Sequence, residues 1–192
     1  GLKEYETTKA YTDVWAFDRF YEWSMVELIS IAAAENQGQQ TFHYSDTNFT
    51  LLGLIAEAIE NKPFNEILHE QIIDKLGLTE TYYLPAEQDK VKSRIANGYE
   101  WYDPSTKQPA QDYQGFMAQQ PARPVISNYR NSNYTAIDVT LASNPTWGGL
   151  GDGGLVATTQ DTEKFTYDLF RGKILNREIF ESMLGGKNHQ HL

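Results

Sequence analysis

Cysteine is absent from all 192 residues. That excludes disulfide frameworks, thiolate nucleophiles and cysteine-ligated zinc together. Basic residues are scarce: 16 Lys and Arg stand against 26 Asp and Glu, a formal net charge of −10. An acidic chain repels phosphate backbones and anionic lipid, so neither nucleic acid nor a membrane surface is an expected partner. No apolar run reaches the length a membrane-spanning helix needs, and no membrane insertion is expected. Histidine is limited to His43, His69, His189 and His191, with no His-x-x-x-His or His-Glu-x-x-His pair. No structural metal site is expected from them, and only a carboxylate-only site stays open. His69 falls among polar residues and reads as a solvated side chain. His189 and His191 sit in a tail that reads as a frayed end. No repeat or low-complexity tract is present, and no cofactor is implied.

What is present suits a packed interior. Hydrophobic residues make up 40% and aromatics 13% of the chain, enough for one domain over residues 1–192. Residues 1–23 carry Tyr5, Tyr11, Trp15, Phe17, Phe20, Tyr21 and Trp23. They read as an irregular segment pinned by its rings, with an aromatic lip over a cleft as the alternative. Ser24-Met25-Val26-Glu27 is a capping box, and the helix it opens should end before Gly38.

The chain turns on His43-Tyr44-Ser45-Asp46-Thr47-Asn48. A short extended piece delivers Tyr44 to the start of an apolar helix, expected from about Asn48 to Asn61. Helix N-termini collect unpaired N–H groups and partial positive charge. A phenol held there beside a basic partner would lose its proton more readily than a free one, which is a way to build a general base. The plainer reading makes Tyr44 a cap on the core and Ser45, Asp46 or Thr47 an ordinary N-cap. In that helix Phe49, Leu52, Ile55, Ala56 and Ile59 follow helical spacing, and Leu51, Leu54 and Ala58 widen the arc, which implies burial on most sides. Gly53 lowers helix propensity, so it should permit close approach of another element.

Pro63 suits the first turn of a further helix over about Phe64 to Leu76, closed by Gly77. Thr79 to Pro85 should leave extended. Residues 86–148 read as the least helical part. A hairpin is expected from Ile95–Tyr102 across an Asp103–Lys107 turn, returning near Gln111–Gln114, and a long loop follows. Trp147–Leu155 is rich in glycine. It lacks the Gly-Lys-Ser/Thr of a phosphate loop, so it reads as a tight backbone path beside a cleft where side chains would clash. Thr158 and Asn176 cap two last helices. The fold class is α+β: a mainly helical subdomain with a hairpin and long loops.

Tyr44-Ser45-Asp46-Thr47-Asn48-Phe49-Thr50-Leu51-Leu52-Gly53 resembles the Tyr-x-Asn region of serine hydrolases related to class C β-lactamases, DD-peptidases and family VIII esterases. The resemblance continues through Pro63–Leu68, Ile73–Thr81, Ala96–Tyr99 and Gly153–Asp161, in the family's order, and is weak between residues 100 and 145. It implies part of a β-lactamase/transpeptidase-like fold and an acyl transfer from ester, peptide or β-lactam through an acyl-serine. Tyr44 matches the family's proton-shuttling tyrosine. Asp46 stands where asparagine is expected and would pair with the family's lysine. Ser45 takes the variable middle position, and Ser45, Gly153 and Gly154 are candidate substrate-binding residues.

The family's other motifs do not occur in this chain. It contains no Ser-x-x-Lys, no Lys-Thr-Gly and no His-x-Gly. Family order places the first upstream of Gly1 and the others downstream of Leu192, and Gly1-Leu2 looks like a motif cut midway. The expectation is therefore an internal fragment, mainly the helical subdomain with most of the sheet half missing, and inactive alone. It would contribute Tyr44 and the walls of a cleft for a small-molecule or peptide substrate. A cut surface would expose an apolar face and promote self-association. The alternative is a non-catalytic binding or interaction module that keeps the helical subdomain. A nucleotide-binding loop at 148–154 is disfavoured by its missing lysine.

Overall fold

In the computed structural model, the described residues are 2–18, 20–35, 43–102, 126–127, 135–138, 145–146 and 149–185. A 3-10 turn at Tyr5–Thr7 leads into α1, Lys9–Phe17, with Thr8 accepting from the Tyr11 N–H. This corrects the expectation of an irregular aromatic segment. The rings are divided by the helix: Tyr5 and Tyr11 are buried with Trp23, while Phe17 and Phe20 are exposed. Tyr11 and Trp23 stack at 5.6 Å.

Helix α2, Met25–Ala34, opens on the expected capping box, with both reciprocal bonds between Ser24 and Glu27 formed. Helix α3, Asp46–Glu60, starts two residues earlier than expected and stops at Asn61, whose φ of 52° breaks the helix. Helices α4, Phe64–Leu68, and α5, Asp74–Leu76, are joined by a π-helical turn over His69–Ile73. They form the single helix read from sequence, with one widened turn inside it. Gly77 ends it at φ 63°.

Strand β1, Thr81–Tyr83, fulfils the extended expectation. Helix α6, Leu84–Val91, does not: Pro85 sits in its first turn, where a missing N–H costs nothing. Strand β2, Tyr99–Tyr102, pairs antiparallel with β4, Thr135–Asp138, which also pairs with β3, Ile126–Ser127. The expected return at residues 111–114 lies outside the described residues, as do the Asp103–Lys107 turn and the histidine tail. Strand β5, Leu155–Ala157, pairs antiparallel with β1, Tyr83 opposite Leu155. Helices α7, Thr159–Phe170, and α8, Arg177–Leu184, carry the expected Thr158 and Asn176 caps.

Among the described residues, two cores hold these elements. Tyr5, Tyr11, Trp23, Met25, Leu28, Ala32 and Leu150 join the N-terminal helices to the glycine-rich loop. Full burial of a side chain such as Leu28 contributes about 2–3 kcal/mol. Ile73, Leu76 and Leu78, with Phe165 and Ile174 beside them, join the π-turn helix to α7. Helix α3 departs from expectation. Phe49, Leu52, Ile55 and Ile59 are 42%, 58%, 44% and 75% exposed, so the wide apolar arc is buried on one side only.

Candidate active site at the head of α3

The head of α3 is held from the side by the N-terminal segment. The Leu2 N–H donates to Asn48 Oδ1 at 3.2 Å, and the Tyr5 N–H to Thr47 Oγ1 at 2.9 Å. Thr47 Oγ1 donates in turn to the Lys3 carbonyl at 2.8 Å. The Asp46 N–H, one of the helix's unpaired donors, is taken by Glu4 Oε2 at 2.7 Å. Ser45 occupies the N-cap position with no side-chain cap bond, and its carbonyl accepts the Asn48 N–H at 3.1 Å.

The three neighbours Tyr44, Ser45 and Asp46 have different environments. Tyr44 is 60% exposed and its ring leans on Phe49 at 5.7 Å. Its hydroxyl donates to Asp46 Oδ1 at 2.8 Å. That bond to a carboxylate holds the phenol above its ordinary value. The direction is opposite to the one a basic partner would give. Ser45 is fully buried, and its hydroxyl has no partner among the described residues. Asp46 is half-buried.

The glycine-rich loop reaches the same place. A Cβ on Gly151 would lie 3.1 Å from the Phe49 carbonyl, and one on Gly154 would lie 2.9 Å from the Gly149 carbonyl. Gly151 and Gly154 both have positive φ, 88° and 78°. The loop is thus the tight backbone path its composition suggests. Gly153 is exposed and Gly154 half-buried. Between the glycines, Asp152 Oδ2 accepts a short hydrogen bond from the buried Tyr5 hydroxyl at 2.5 Å. Its other oxygen is buried without a partner among the described residues. Burial pushes the Asp152 carboxyl up, and the bond from Tyr5 opposes this only in part. Burial also pushes the Tyr5 phenol well above its usual range, and the Asp152 carboxylate adds to this.

Glu4, Tyr5 and Asp152 were not legible as site residues from sequence. The available signal for Asp152 was a lone charge between glycines, where a solvated turn reads the same. Glu4, Glu6 and Asp46 each bring one carboxylate oxygen within 4.8 Å of the others, and oxygens so placed suit a hard cation or an ammonium group. The site as a whole carries concentrated negative charge around two phenols, Tyr44 and Tyr5. Two cavities, of about 410 and 470 Å³, lie along β1 and β5. Neither is lined by Tyr44, Asp46 or Gly154, and Leu68, Ile72 and Phe165 make the larger one apolar.

A helical body, a β1–β5 ribbon following a glycine-rich loop, and a tyrosine at a helix head together define a partial β-lactamase/transpeptidase-like fold, a fold of serine hydrolases. The family model described as Beta-lactamase matches residues 4–190. The chain belongs to that family. Among solved structures it is similar to the D-amino acid amidase of Ochrobactrum anthropi SV3 complexed with L-phenylalanine (TM-score 0.70, 23% identity), covering 95% of this chain and 45% of that one. It is also similar to a penicillin binding protein from Bacillus halodurans (TM-score 0.63, 21% identity, 96% and 48% covered). A third is FmtA from Staphylococcus aureus (TM-score 0.61, 16% identity, 95% and 40% covered). The chain therefore spans less than half the length of these solved relatives. No curated protein matches it. Among the described residues no helix is long and apolar enough to cross a membrane.

Proposed function

We propose that this chain is the central, largely helical portion of a β-lactamase-like serine hydrolase, a single domain that supplies Tyr44, Asp46 and cleft walls to a nucleophile carried elsewhere. The reaction is acyl transfer. A serine oxygen outside this chain attacks the carbonyl of an ester, peptide or β-lactam, its proton passes to a base, and the C–O or C–N bond breaks as the leaving oxygen or nitrogen takes up a proton, that nitrogen staying attached through the opened ring in a β-lactam. Water then attacks the acyl-serine and releases the acid. The observation that carries this reading is the phenol of Tyr44 held by Asp46 at the head of α3, in a chain that matches the family over residues 4–190.

The absence of Ser-x-x-Lys from the sequence and the coverage of under half of each solved relative support the fragment reading. Gly153 and Gly154 would line the substrate path, whereas Ser45, assigned to it with them, is fully buried with no partner for its hydroxyl among the described residues. The amide and penicillin in the relatives' names give the probes. A fluorescent penicillin, a p-nitrophenyl ester and an amino-acid amide should leave no acyl adduct on this chain by intact mass. They should label a polypeptide extended in both directions along its gene. Stoichiometric serine labelling of the chain alone would overturn the reading.

The exposed stripe of Phe49, Leu52, Ile55 and Ile59 also supports the fragment reading, because a cut surface exposes an apolar face; the alternative, a non-catalytic binding module that keeps the helical subdomain, would carry a polar surface there. Failure of the extended polypeptide to be labelled, with this chain monomeric in sedimentation at two concentrations, would put the module first.

A further inference from the structure

His69 opens the π-helical turn, where the helix is one residue wider per turn than α4 or α5. Its ring bridges two elements. Nδ1 lies 3.1 Å from Asp74 Oδ1 at the end of the same turn, and Nε2 lies 3.1 Å from Glu87 Oε2 on α6. Glu87 is only 5% exposed, and its carboxylate is fully engaged. Oε2 also accepts the Tyr83 N–H at 2.8 Å, and Oε1 accepts from Lys90 Nζ at 2.8 Å. The sequence reading of His69 as a solvated side chain is thereby corrected: its partner on α6 is 18 residues away and could not be seen from neighbours in the chain.

The same first turn of α6 is tied to the glycine-rich loop. The Leu84 N–H donates to the Gly154 carbonyl at 2.8 Å. Pro85 packs so close that a Cβ on Gly154 would meet it at 3.1 Å, and one on Gly149 at 3.3 Å. Tyr83 is paired with Leu155, the residue after Gly154. One short path therefore runs from the imidazole through Glu87 to Tyr83 and Leu84, and from there to Gly154.

We propose that His69 is a proton-controlled positioning residue that sets the Gly149–Gly154 loop through Glu87 and the Tyr83–Leu84 backbone. Both ring nitrogens face carboxylate oxygens, and only the imidazolium donates from both. When the proton leaves, one nitrogen presents a lone pair to an oxygen 3.1 Å away. Either the π turn loosens at Asp74 or α6 loosens at Glu87. The groups facing the ring are Asp74 from its own turn and Glu87 from α6, with Lys90 behind Glu87. Burial opposes the imidazolium, but the bonds to Asp74 and Glu87 outweigh it and hold His69 above its ordinary value. The clamp is thus closed at acidic pH and opens as pH rises through that value. Its functional meaning rests on the reading of Gly153 and Gly154 as substrate-path residues; its operation does not.

The test is a nuclear magnetic resonance titration of the isotopically labelled chain from pH 5 to 9. It follows the His69 ring nitrogens and the amides of Tyr83, Leu84, Gly154 and Leu155. The expected midpoint for His69 lies above about 6.5, and the Tyr83 and Gly154 amides shift with that same midpoint. Asp74→Asn, at an exposed carboxylate, should lower the midpoint without unfolding the chain. Glu87→Gln, which can still accept the Tyr83 N–H, should lower it and remove the transition from the Gly154 amide. A His69 midpoint at or below about 6.5, or a Gly154 amide that does not report it, overturns the proposal. No acylation enters this readout, so a failed labelling experiment and a failed clamp are distinguishable.

Discussion

Gly53, in the middle of α3, and Gly151, in the glycine-rich loop, pack directly against each other. A Cβ built on Gly53 would lie 3.5 Å from Gly151 Cα, and one on Gly151 would lie 3.6 Å from Gly53 Cα. The pair lets a loop backbone rest on a helix backbone. The two glycines differ in what a methyl group would meet. At Gly151 it meets the Phe49 carbonyl at 3.1 Å, on a backbone with φ +88°. At Gly53 the nearest atom is Met25 Sδ at 2.9 Å, near the end of a flexible side chain.

Gly151→Ala should therefore destabilise the chain by about 1–3 kcal/mol, since both the backbone and the space oppose it. Gly53→Ala should change stability by less than about 1 kcal/mol, because a comparable gain in helix propensity offsets the displaced thioether. Urea unfolding of the two variants checks this. The order of the two losses is the point: equal losses would mean that the approach is not set by the Gly151 backbone.

Asp152 is expected to be a liability in the isolated chain. Burial raises its carboxyl, and the Asp46 and Glu4 charges push the same way. A carboxyl raised in the folded state binds a proton more readily folded than unfolded, so its penalty is absent at low pH. The penalty develops as pH rises from the unfolded value through the folded one. Asp152→Asn keeps an oxygen to accept the Tyr5 hydroxyl and removes the charge. It should raise stability by on the order of 1 kcal/mol at neutral pH, with little gain near pH 3. Chemical denaturation at the two pH values measures the difference.

Asp161 has the opposite character. Its Oδ2 accepts the Glu80 N–H at 2.7 Å and the Thr81 hydroxyl at 2.9 Å, fastening α7 to the start of β1. Asp161→Ala leaves the Thr81 hydroxyl and the Glu80 N–H without their acceptor and should cost about 2–3 kcal/mol. Thr158→Ala, which removes only the helix cap, should cost about 1 kcal/mol. Thermal unfolding of both variants tests whether the tie or the cap holds the ribbon.

The exposed face of α3 makes a separate prediction. Leu52→Glu and Ile59→Glu sit where the side chains are already 58% and 75% exposed. Each should change stability by no more than about 0.5 kcal/mol, and together they should abolish any concentration-dependent association. Sedimentation at two concentrations, before and after substitution, reads this. Association that survives both changes would place the contact elsewhere.

What the sequence made legible was local. The Ser24–Glu27 box, the Thr158 and Asn176 caps and the Gly77 stop each need only residues within one turn, and each is present. Gly53 signalled a close approach, but not that Gly151 makes it. Pro85 read as the end of an extended piece, because proline suits a first helical turn as well as it breaks a later one. Helix α1 was hidden by its aromatic residues, which report burial more strongly than period. Tyr5 with Asp152, and His69 with Glu87, are pairings across the fold that no local pattern carries. The α3 arc shows the converse limit: its spacing states that a face is apolar, and only the surrounding elements decide how much of it is covered.

Asp46 offers the sharpest test of the proposed chemistry, because it holds the Tyr44 phenol and, in the proposed reading, stands where asparagine is expected. Its hydrogen bond raises the phenol, as does its charge. In a polypeptide extended to include the nucleophile, Tyr44→Phe should slow acylation by roughly 10²–10⁴-fold, the usual weight of a positioned proton carrier. Asp46→Asn removes the charge but leaves an acceptor, so the phenol should fall back toward its ordinary value. A base with a lower pKa is deprotonated at lower pH, and the alkaline-rising limb of the rate profile should move to lower pH in Asp46→Asn while Tyr44→Phe loses that limb altogether. Acylation rates with a p-nitrophenyl ester across pH 5–10 separate the two. An unmoved limb in Asp46→Asn would mean that Asp46 orients the substrate or a lysine and does not set the phenol's proton.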